Sequence, residues 1–164
     1  MTIAIISDTH DQEEKVLQVI DKIKELKLDA IIHCGDWCSP FMVDNILTAK
    51  LPVYTCMGNN DGDRDALRSK LQHSDLKFEL EDEILELTLD GKRFGINHYP
   101  DIADVLINSH KYDLVCFGHN HTRQIDKLGN AWLINPGALI HNVVDDWGFV
   151  VYDTQKNNAK FITL

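Results

Sequence analysis

Carboxylate, imidazole and amide side chains occur in five short clusters along the chain, and each cluster follows a short apolar run. The clusters are Asp8 with His10, Asp36, Asn59, His98, and His119 with His121. A short continuous apolar run is typical of a strand buried inside a parallel α/β sheet. Because such folds bind ligands at the carboxyl ends of their strands, we expect the five clusters to meet at one edge of the molecule.

These side-chain types are typical of a metal site. Carboxylate, imidazole and amide oxygen donors suit Mn²⁺, Fe or Zn²⁺, whereas the lack of thiolate ligands argues against an iron–sulfur cluster or a structural zinc site. Seven donors exceed the needs of one ion and favour two ions that share one carboxylate. Each cluster alone is better explained by a turn, a helix cap or a buried histidine, so the prediction depends on their joint occurrence.

The first half of the chain has the pattern of a parallel sheet with crossover helices. An apolar stripe at helical spacing predicts a helix from residue 12 or 13 to about 27, and strands are predicted over 3–6, 30–34 and 52–57. Helices are predicted over 41–49 and 64–72, the former because Pro40 suits a first helical turn. This is a β-α-β-α-β arrangement with right-handed crossovers.

In the second half the apolar pattern changes to period two, which is typical of strands. Strands are predicted over 78–80, 84–89, 93–97, 114–117, 123–127, 131–134, 148–152 and 160–164, with a hairpin at Asp90-Gly91 and a short helix over 102–110. The whole predicts an α/β fold of one domain, residues 1–164: a four-layer α/β/β/α sandwich of two mixed sheets flanked by helices.

The composition of the chain limits the kinds of binding partner that are expected. The chain has 164 residues and a formal net charge of −10, so a long nucleic acid is not expected as a partner. A small phosphate-bearing ligand stays compatible with that charge, because two dications would make the site locally positive. No signal-peptide pattern and no apolar run of about 18 residues is present, so we expect a cytoplasmic protein without membrane contact. A homodimer is the default expectation.

The four cysteines are Cys34, Cys38, Cys56 and Cys116, and they lie in or beside apolar runs. Without a secretory pattern, reduced and mostly buried thiols are expected. Cys34 and Cys38 suggest a zinc pair, but no second pair follows them, so this hypothesis is set aside.

The clusters together resemble a known family. Asp8-x-His10, Gly35-Asp36, Gly58-Asn59, His98 and Gly118-His119-x-His121 are similar to the five signature blocks of the calcineurin-like metallophosphoesterases. With Asn135-Pro136-Gly137 near the end, the whole length resembles the small single-domain phosphodiesterase branch often labelled YfcE/MJ0936-like.

The resemblance implies two divalent metal ions and assigns each cluster to one or both of them. Asp8, His10, Asp36 and His121 match the ligands of the first ion, and Asp36, Asn59, His98 and His119 match those of the second. Asp36 is then the bridge, and the implied nucleophile is a metal-bridging hydroxide that attacks phosphorus in line. Mn²⁺ is the expected metal, with Ni²⁺, Fe and Zn²⁺ as alternatives.

The chain departs from the family pattern at two places. Many members have a histidine where Asn60 stands. An amide cannot deliver a proton to the leaving group, and such proton transfer typically raises the reaction rate 10²–10⁴-fold. The rate of hydrolysis should fall least for activated diesters, which favours phosphodiesterase over monoester phosphatase activity. Tyr99-Pro100 follows His98 where relatives often add a second histidine. In one interpretation the ring of Tyr99 narrows the mouth of the pocket and stacks on the substrate. In the other, the ring only packs against its neighbours and Pro100 starts a helix.

Further side chains have open roles. His33, His73, His110 and His141 are candidates to replace the missing acid, with His141 the strongest of them. Asp11 and Asp61 either orient ligands or cap helices.

The leading hypothesis is a metal-dependent phosphodiesterase acting on a small phosphoester, with Asp36, Asn59, Asn60 and His98 as its catalytic residues. One alternative is a metal-binding protein-interaction scaffold resembling the retromer subunit of this fold, although every primary ligand position here is filled. Another alternative is a weak phosphomonoesterase.

Overall fold

The computed structural model describes residues 1–140 and 147–164, and within them the chain forms eleven strands and four helices. In chain order they are β1 (Thr2–Ile6), α1 (Glu13–Glu25), β2 (Ala30–His33), α2 (Phe41–Leu47), β3 (Val53–Cys56), α3 (Arg64–Gln72), β4 (Phe78–Glu81), β5 (Ile84–Leu89), β6 (Lys92–Asn97), α4 (Pro100–Asn108), β7 (Leu114–Cys116), β8 (Gln124–Leu128), β9 (Ala131–Asn135), β10 (Gly148–Asp153) and β11 (Asn158–Thr163).

The strands form two mixed sheets. The first has the order β11-β10-β1-β2-β3-β4 and the second the order β5-β6-β7-β9-β8. In the first sheet β1 to β4 are mutually parallel, and in the second β6, β7 and β9 are parallel. The carboxyl ends of the parallel strands in each sheet therefore lie at a common edge.

The sheets pack face to face and the helices lie outside them. Alternate residues of β1 explain its unbroken apolar run: Ile3 and Ile5 pack in the layer between the sheets with Phe94 of β6, whereas Ala4 and Ile6 pack against α1, α2 and α3. Helix α4 covers the outer face of the second sheet. The predicted four-layer sandwich is confirmed.

The predicted elements are present within about two residues, and α4 is shifted by two residues at both ends. We predicted this helix from residue 102, but it begins at Pro100 with Tyr99 as its N-cap. Proline is suited to the first helical position because it lacks the backbone N–H that would have no partner there. Helix α1 ends at Glu25, and Lys27 adopts a positive φ of 52°. None of the helices in the described ranges is long and apolar enough to cross a membrane.

Candidate metal centre

The five predicted clusters lie at the carboxyl ends of five parallel strands, as the sequence indicated. Asp8 and His10 follow β1, Asp36 follows β2, and Asn59 follows β3. In the second sheet His98 follows β6, and the His119–His121 segment follows β7. Since the inner faces of the two sheets are in contact, both edges contribute to one site.

Four of these side chains bring one ligand atom each into a small volume. One ligand atom each from Asp8, His10, Asp36 and His121 lies within 4.8 Å of all the others. The Nε2 atoms of His10 and His121 are 3.1 Å apart, and Nε2 of His121 is 3.3 Å from Oδ1 of Asp8. These are the four residues expected to bind the first ion.

The remaining three candidates gather around the side-chain oxygen of Asn59. Its Oδ1 is 3.0 Å from Nε2 of His98 and 2.8 Å from Nδ1 of His119. Asp36 connects this group to the first one, because its Oδ2 lies 3.4 Å from His98 Nε2 and 3.5 Å from His10 Nε2. The seven side chains thus form two adjoining groups that meet at Asp36.

Five of the seven residues hold the left-handed backbone conformation that non-glycine residues rarely adopt. They are Asp8, His10, Asp36, His119 and His121, with φ between 42° and 72°. Such conformations cluster at functional sites because the surrounding structure must hold them. Here the backbone N–H of Asp8 donates to Gly35 O at 3.0 Å, and that of Thr9 donates to Asp36 O at 3.0 Å.

The carboxylates of this site are charged although they are buried. Burial would raise the pKa of Asp8, but hydrogen bonds from His10 and His121 outweigh it and hold that pKa below the ordinary value. The pKa of Asp36 is also lowered, since a hydrogen bond from His98 opposes the effect of burial. The same contact with Asp36 raises the pKa of His98 against its burial. The site therefore attracts positive charge.

This donor set fits divalent cations. Carboxylate and imidazole donors, with one amide oxygen, suit borderline and hard dications. Metal binding at this site would depend on pH, because a ligating histidine must be neutral. The side chains of Asp8 and His98 are fully buried, whereas Asn59 and His119 are exposed, so the site has a buried floor and an open rim.

Comparison with known proteins agrees with this geometry. The model of the calcineurin-like phosphoesterase superfamily domain matches residues 1–157. The chain belongs to this superfamily. The predicted family is therefore confirmed, as is the prediction of a phosphoesterase enzyme, and the family implies divalent metal ions.

Individual relatives cover the whole of this phosphoesterase. Phosphodiesterase MJ0936 of Methanocaldococcus jannaschii is 29% identical over 167 residues, which span 100% of this chain and 99% of that protein. A solved structure of an archaeal phosphodiesterase is 28% identical with a TM-score of 0.92 over 100% of both chains. Vps29 of Entamoeba histolytica in complex with Zn²⁺ is 15% identical with a TM-score of 0.67, covering 100% of this chain and 98% of that one. This last likeness shows the fold alone and does not favour a scaffold.

Asn60 contacts a candidate ligand in this phosphoesterase. Its backbone N–H donates to Asp36 Oδ1 at 2.8 Å and its side-chain Nδ2 donates to Asp36 Oδ2 at 2.7 Å. Asn60, at the position of the family histidine, thus donates a hydrogen bond to each oxygen of the Asp36 carboxylate.

Tyr99 lies at the rim of the site. Its ring centroid is 5.1 Å from that of His98 and 5.2 Å from that of His119. Its backbone N–H donates to Asn97 Oδ1 at 2.8 Å, and the ring is half-buried. Pro100 starts helix α4 as one interpretation expected. Stacking of the Tyr99 ring on a substrate stays a prediction.

Cys38 is a neighbour of the site that the sequence did not predict. Its Sγ lies 3.3 Å from Nδ1 of His10, and burial raises the pKa of this thiol to about 12. Its position two residues after Asp36, at the same strand end, was the available signal. Cys34 is buried in the layer between the sheets, so the two cysteines do not form the zinc pair considered from their spacing.

Three of the four alternative acid candidates lie in the described residues. His33 is fully buried, stacks on Trp37 at 3.9 Å between ring centroids, and has a pKa that burial lowers to about 3. His73 is the C-cap of α3, and His110 follows the carboxyl end of α4. His141 lies outside the described residues.

Asp11 and Asp61 connect neighbouring loops and do not cap helices. Asp11 accepts hydrogen bonds from the backbone and the hydroxyl of Ser39. Asp61 accepts from the backbone N–H groups of Cys38 at 2.9 Å and Gly58 at 2.7 Å, which joins the loops after β2 and β3. The N-caps of α1 and α3 are Gln12 and Asp63.

Proposed function

We propose that this phosphoesterase is a divalent-metal-dependent phosphodiesterase that hydrolyses a small phosphodiester. The observation that carries the proposal is the position of Asp36, whose carboxylate lies between the two groups of candidate ligands. A single ion would not need a shared carboxylate and seven donors, whereas two-metal sites use both. The names of the full-length relatives support the choice of a diester.

The proposed ligands follow the two groups. One ion would be bound by Asp8, His10, Asp36 and His121, and the other by Asp36, Asn59, His98 and His119. Mn²⁺ is the metal we expect, with Ni²⁺, Fe and Zn²⁺ as alternatives, because the donors mix carboxylate and imidazole.

When bound, two such ions supply positive charge to the phosphoryl oxygens and lower the pKa of water toward neutrality. The protein's own contribution is to hold the donors in place. Buried Asp8 and Asp36 are kept ionised by the histidines that contact them, and the exposed edges of Asn59 and His119 leave room for a phosphate to approach.

Asn60 is the basis for the expected leaving-group preference. Its amide donates a hydrogen bond to Asp36 but is too weak an acid to transfer a proton, so we expect the departing oxygen to leave as a stable anion. Diesters with aryl or otherwise activated leaving groups are therefore the expected substrates.

The first experiment is hydrolysis of bis-p-nitrophenyl phosphate by metal-stripped protein reloaded with Mn²⁺ or Ni²⁺. We expect turnover that requires metal and that falls by about 100-fold or more in Asp36→Asn, since even residues behind the ligands typically cost 10–100-fold. Asp44→Asn is the matched control, because Asp44 is an exposed residue of α2 that pairs with Lys70.

Loss of activity in Asp36→Asn with full activity in Asp44→Asn is the supporting result. Metal-loaded wild-type protein that does not exceed the Asp36→Asn background would remove the proposal and favour the scaffold alternative. Faster turnover of p-nitrophenyl phosphate than of the diester would favour the monoesterase.

A further inference from the structure

Asn135, the last residue of β9, is a fully buried asparagine whose amide contacts the loops around the metal centre. Its Nδ2 donates to Gly118 O and to Asn120 Oδ1, each at 2.9 Å. Its Oδ1 accepts from the backbone N–H of Gly137 at 2.8 Å. Both donors and the acceptor are thus used, and two of the three bonds reach the loop that follows β7.

That loop carries one candidate ligand from each group, His119 and His121. Both histidines have a positive φ, which costs free energy unless neighbouring contacts hold the backbone. Asn120 lies between them, and its Oδ1 also accepts from the backbone N–H of Thr122 at 3.0 Å. Asn135 therefore holds the loop at the residue between the two ligands.

The contacts continue to the first strand. The backbone N–H of His119 donates to the carboxylate of Asp8 at 3.1 and 3.2 Å. Beyond the turn at Gly137, the backbone N–H of Leu139 donates to Asp8 O at 3.1 Å. Asn135 is thus the centre of a set of hydrogen bonds that joins the ends of β1, β7 and β9.

We infer that Asn135 is a positioning residue that sets the geometry of His119 and His121 for metal binding. The inference rests on the proposed function and assigns a role to the Asn135-Pro136-Gly137 segment. An apolar side chain would fill the same volume in the core, but it would leave the carbonyl of Gly118 and the side chain of Asn120 without their partner. The amide thus couples the two proposed metal positions through one loop.

The test is Asn135→Asp. This change keeps the size and the acceptor for Gly137 but places an oxygen opposite Gly118 O and Asn120 Oδ1. We expect Mn²⁺ affinity, measured by calorimetry on metal-stripped protein, to fall by about 10–100-fold, the usual cost of losing a group that orients metal ligands. We also expect the visible spectrum of the Co²⁺-loaded variant to differ from that of the wild type.

Asn157→Asp is the matched control because Asn157 makes the same kinds of bond at the opposite end of β9. Its Oδ1 accepts from Trp132 Nε1 and from Tyr152 OH, each at 2.9 Å, and its Nδ2 donates to Asn130 O at 3.1 Å. We expect this variant to bind Mn²⁺ like the wild type even where its melting temperature falls.

Asn120→Ala tests the same bond at an exposed residue and decides the question if Asn135→Asp does not fold. It removes one acceptor of Asn135 and should weaken Mn²⁺ binding by a smaller factor. The inference would be overturned if Asn135→Asp and Asn120→Ala both bound Mn²⁺ with wild-type affinity. It would also be overturned if Asn135→Asp and Asn157→Asp lost Mn²⁺ affinity equally. A wild-type protein that binds no Mn²⁺ would instead remove the proposed function.

Discussion

At the scale of single residues, Asn60 donates a hydrogen bond to each oxygen of the Asp36 carboxylate. One residue supplies a backbone donor to Oδ1 and a side-chain donor to Oδ2 of the carboxylate. A histidine at this position would keep the backbone donor, and its ring is able to transfer a proton, whereas the amide of Asn60 is not. Under the proposed function, we therefore expect position 60 to affect both the geometry of the Asp36 carboxylate and the chemistry at the leaving group.

The residue-level prediction concerns leaving groups. We expect wild-type kcat/KM to fall steeply along a series of aryl phosphodiesters as the pKa of the leaving phenol rises. Asn60→His should flatten that dependence and raise the rate for the poorest leaving group by up to about 10²-fold, because a general acid becomes available.

Asn60→Ala is the control for this series, since alanine also lacks a transferable proton. It should keep the steep dependence while lowering all rates together. If Asn60→His and Asn60→Ala gave the same slope, position 60 would not face the leaving group.

At the scale of elements, the site depends on how closely the strand-end loops approach one another. A Cβ placed on Gly58 would lie 2.1 Å from Asp36 Oδ1 and 2.4 Å from the backbone N of Asp36. A Cβ on Gly118 would lie 2.0 Å from Ser7 Oγ and 2.5 Å from Asp8 Oδ2. Glycine is needed at both positions because any side chain would displace a candidate ligand.

We expect Gly58→Ala to cost about 1–3 kcal/mol of unfolding free energy, as overpacked sites do, and to weaken Mn²⁺ binding. Urea unfolding of metal-free protein and Mn²⁺ titration are the measurements. Gly62→Ala, four residues further on, should leave both unchanged, since the nearest atom to its Cβ would be Cys38 O at 4.0 Å. A Gly58→Ala protein as stable as Gly62→Ala would contradict this view of the loop.

At the scale of the whole molecule, an acidic chain encloses a site for an anionic substrate. The net charge is −10, and two of its carboxylates, Asp8 and Asp36, are buried in the site itself. Metal ions would reverse the local charge without changing the acidic surface. Because only the folded chain brings the ligands together, binding also adds to the stability of the fold.

We therefore expect metal removal to lower the melting temperature. At a free Mn²⁺ concentration 100 times the Kd, binding to the native state adds about 2.7 kcal/mol, which corresponds to a shift of roughly 5–10 °C for a chain of this size. Thermal unfolding with EDTA and with Mn²⁺ measures it. Asp36→Asn should show a much smaller shift, and an unchanged melting temperature in the wild type would argue against tight metal binding.

The sequence by itself determined the elements and the residues at their ends. The apolar run of β1, the period of α1 and the turn at Asp90-Gly91 are local patterns, and local propensity decides them. The position of each candidate ligand followed from these patterns because parallel strands place their carboxyl ends at one edge. Helix α4 begins two residues before the predicted residue 102 because Pro100, which needs no backbone hydrogen bond, occupies the first helical turn.

Only the tertiary structure decided which side chains meet across those ends. The contacts of Asn135 with Gly118, of Cys38 with His10 and of Asn60 with Asp36 depend on strand register, loop backbone and rotamer. Most of these partners are separated by many residues, and the chain reaches them only after both sheets have packed. Strand periodicity does not specify the distances between side chains that are far apart in the sequence. The candidate ligands were therefore predictable, whereas their contacts with the residues that hold them in place were not.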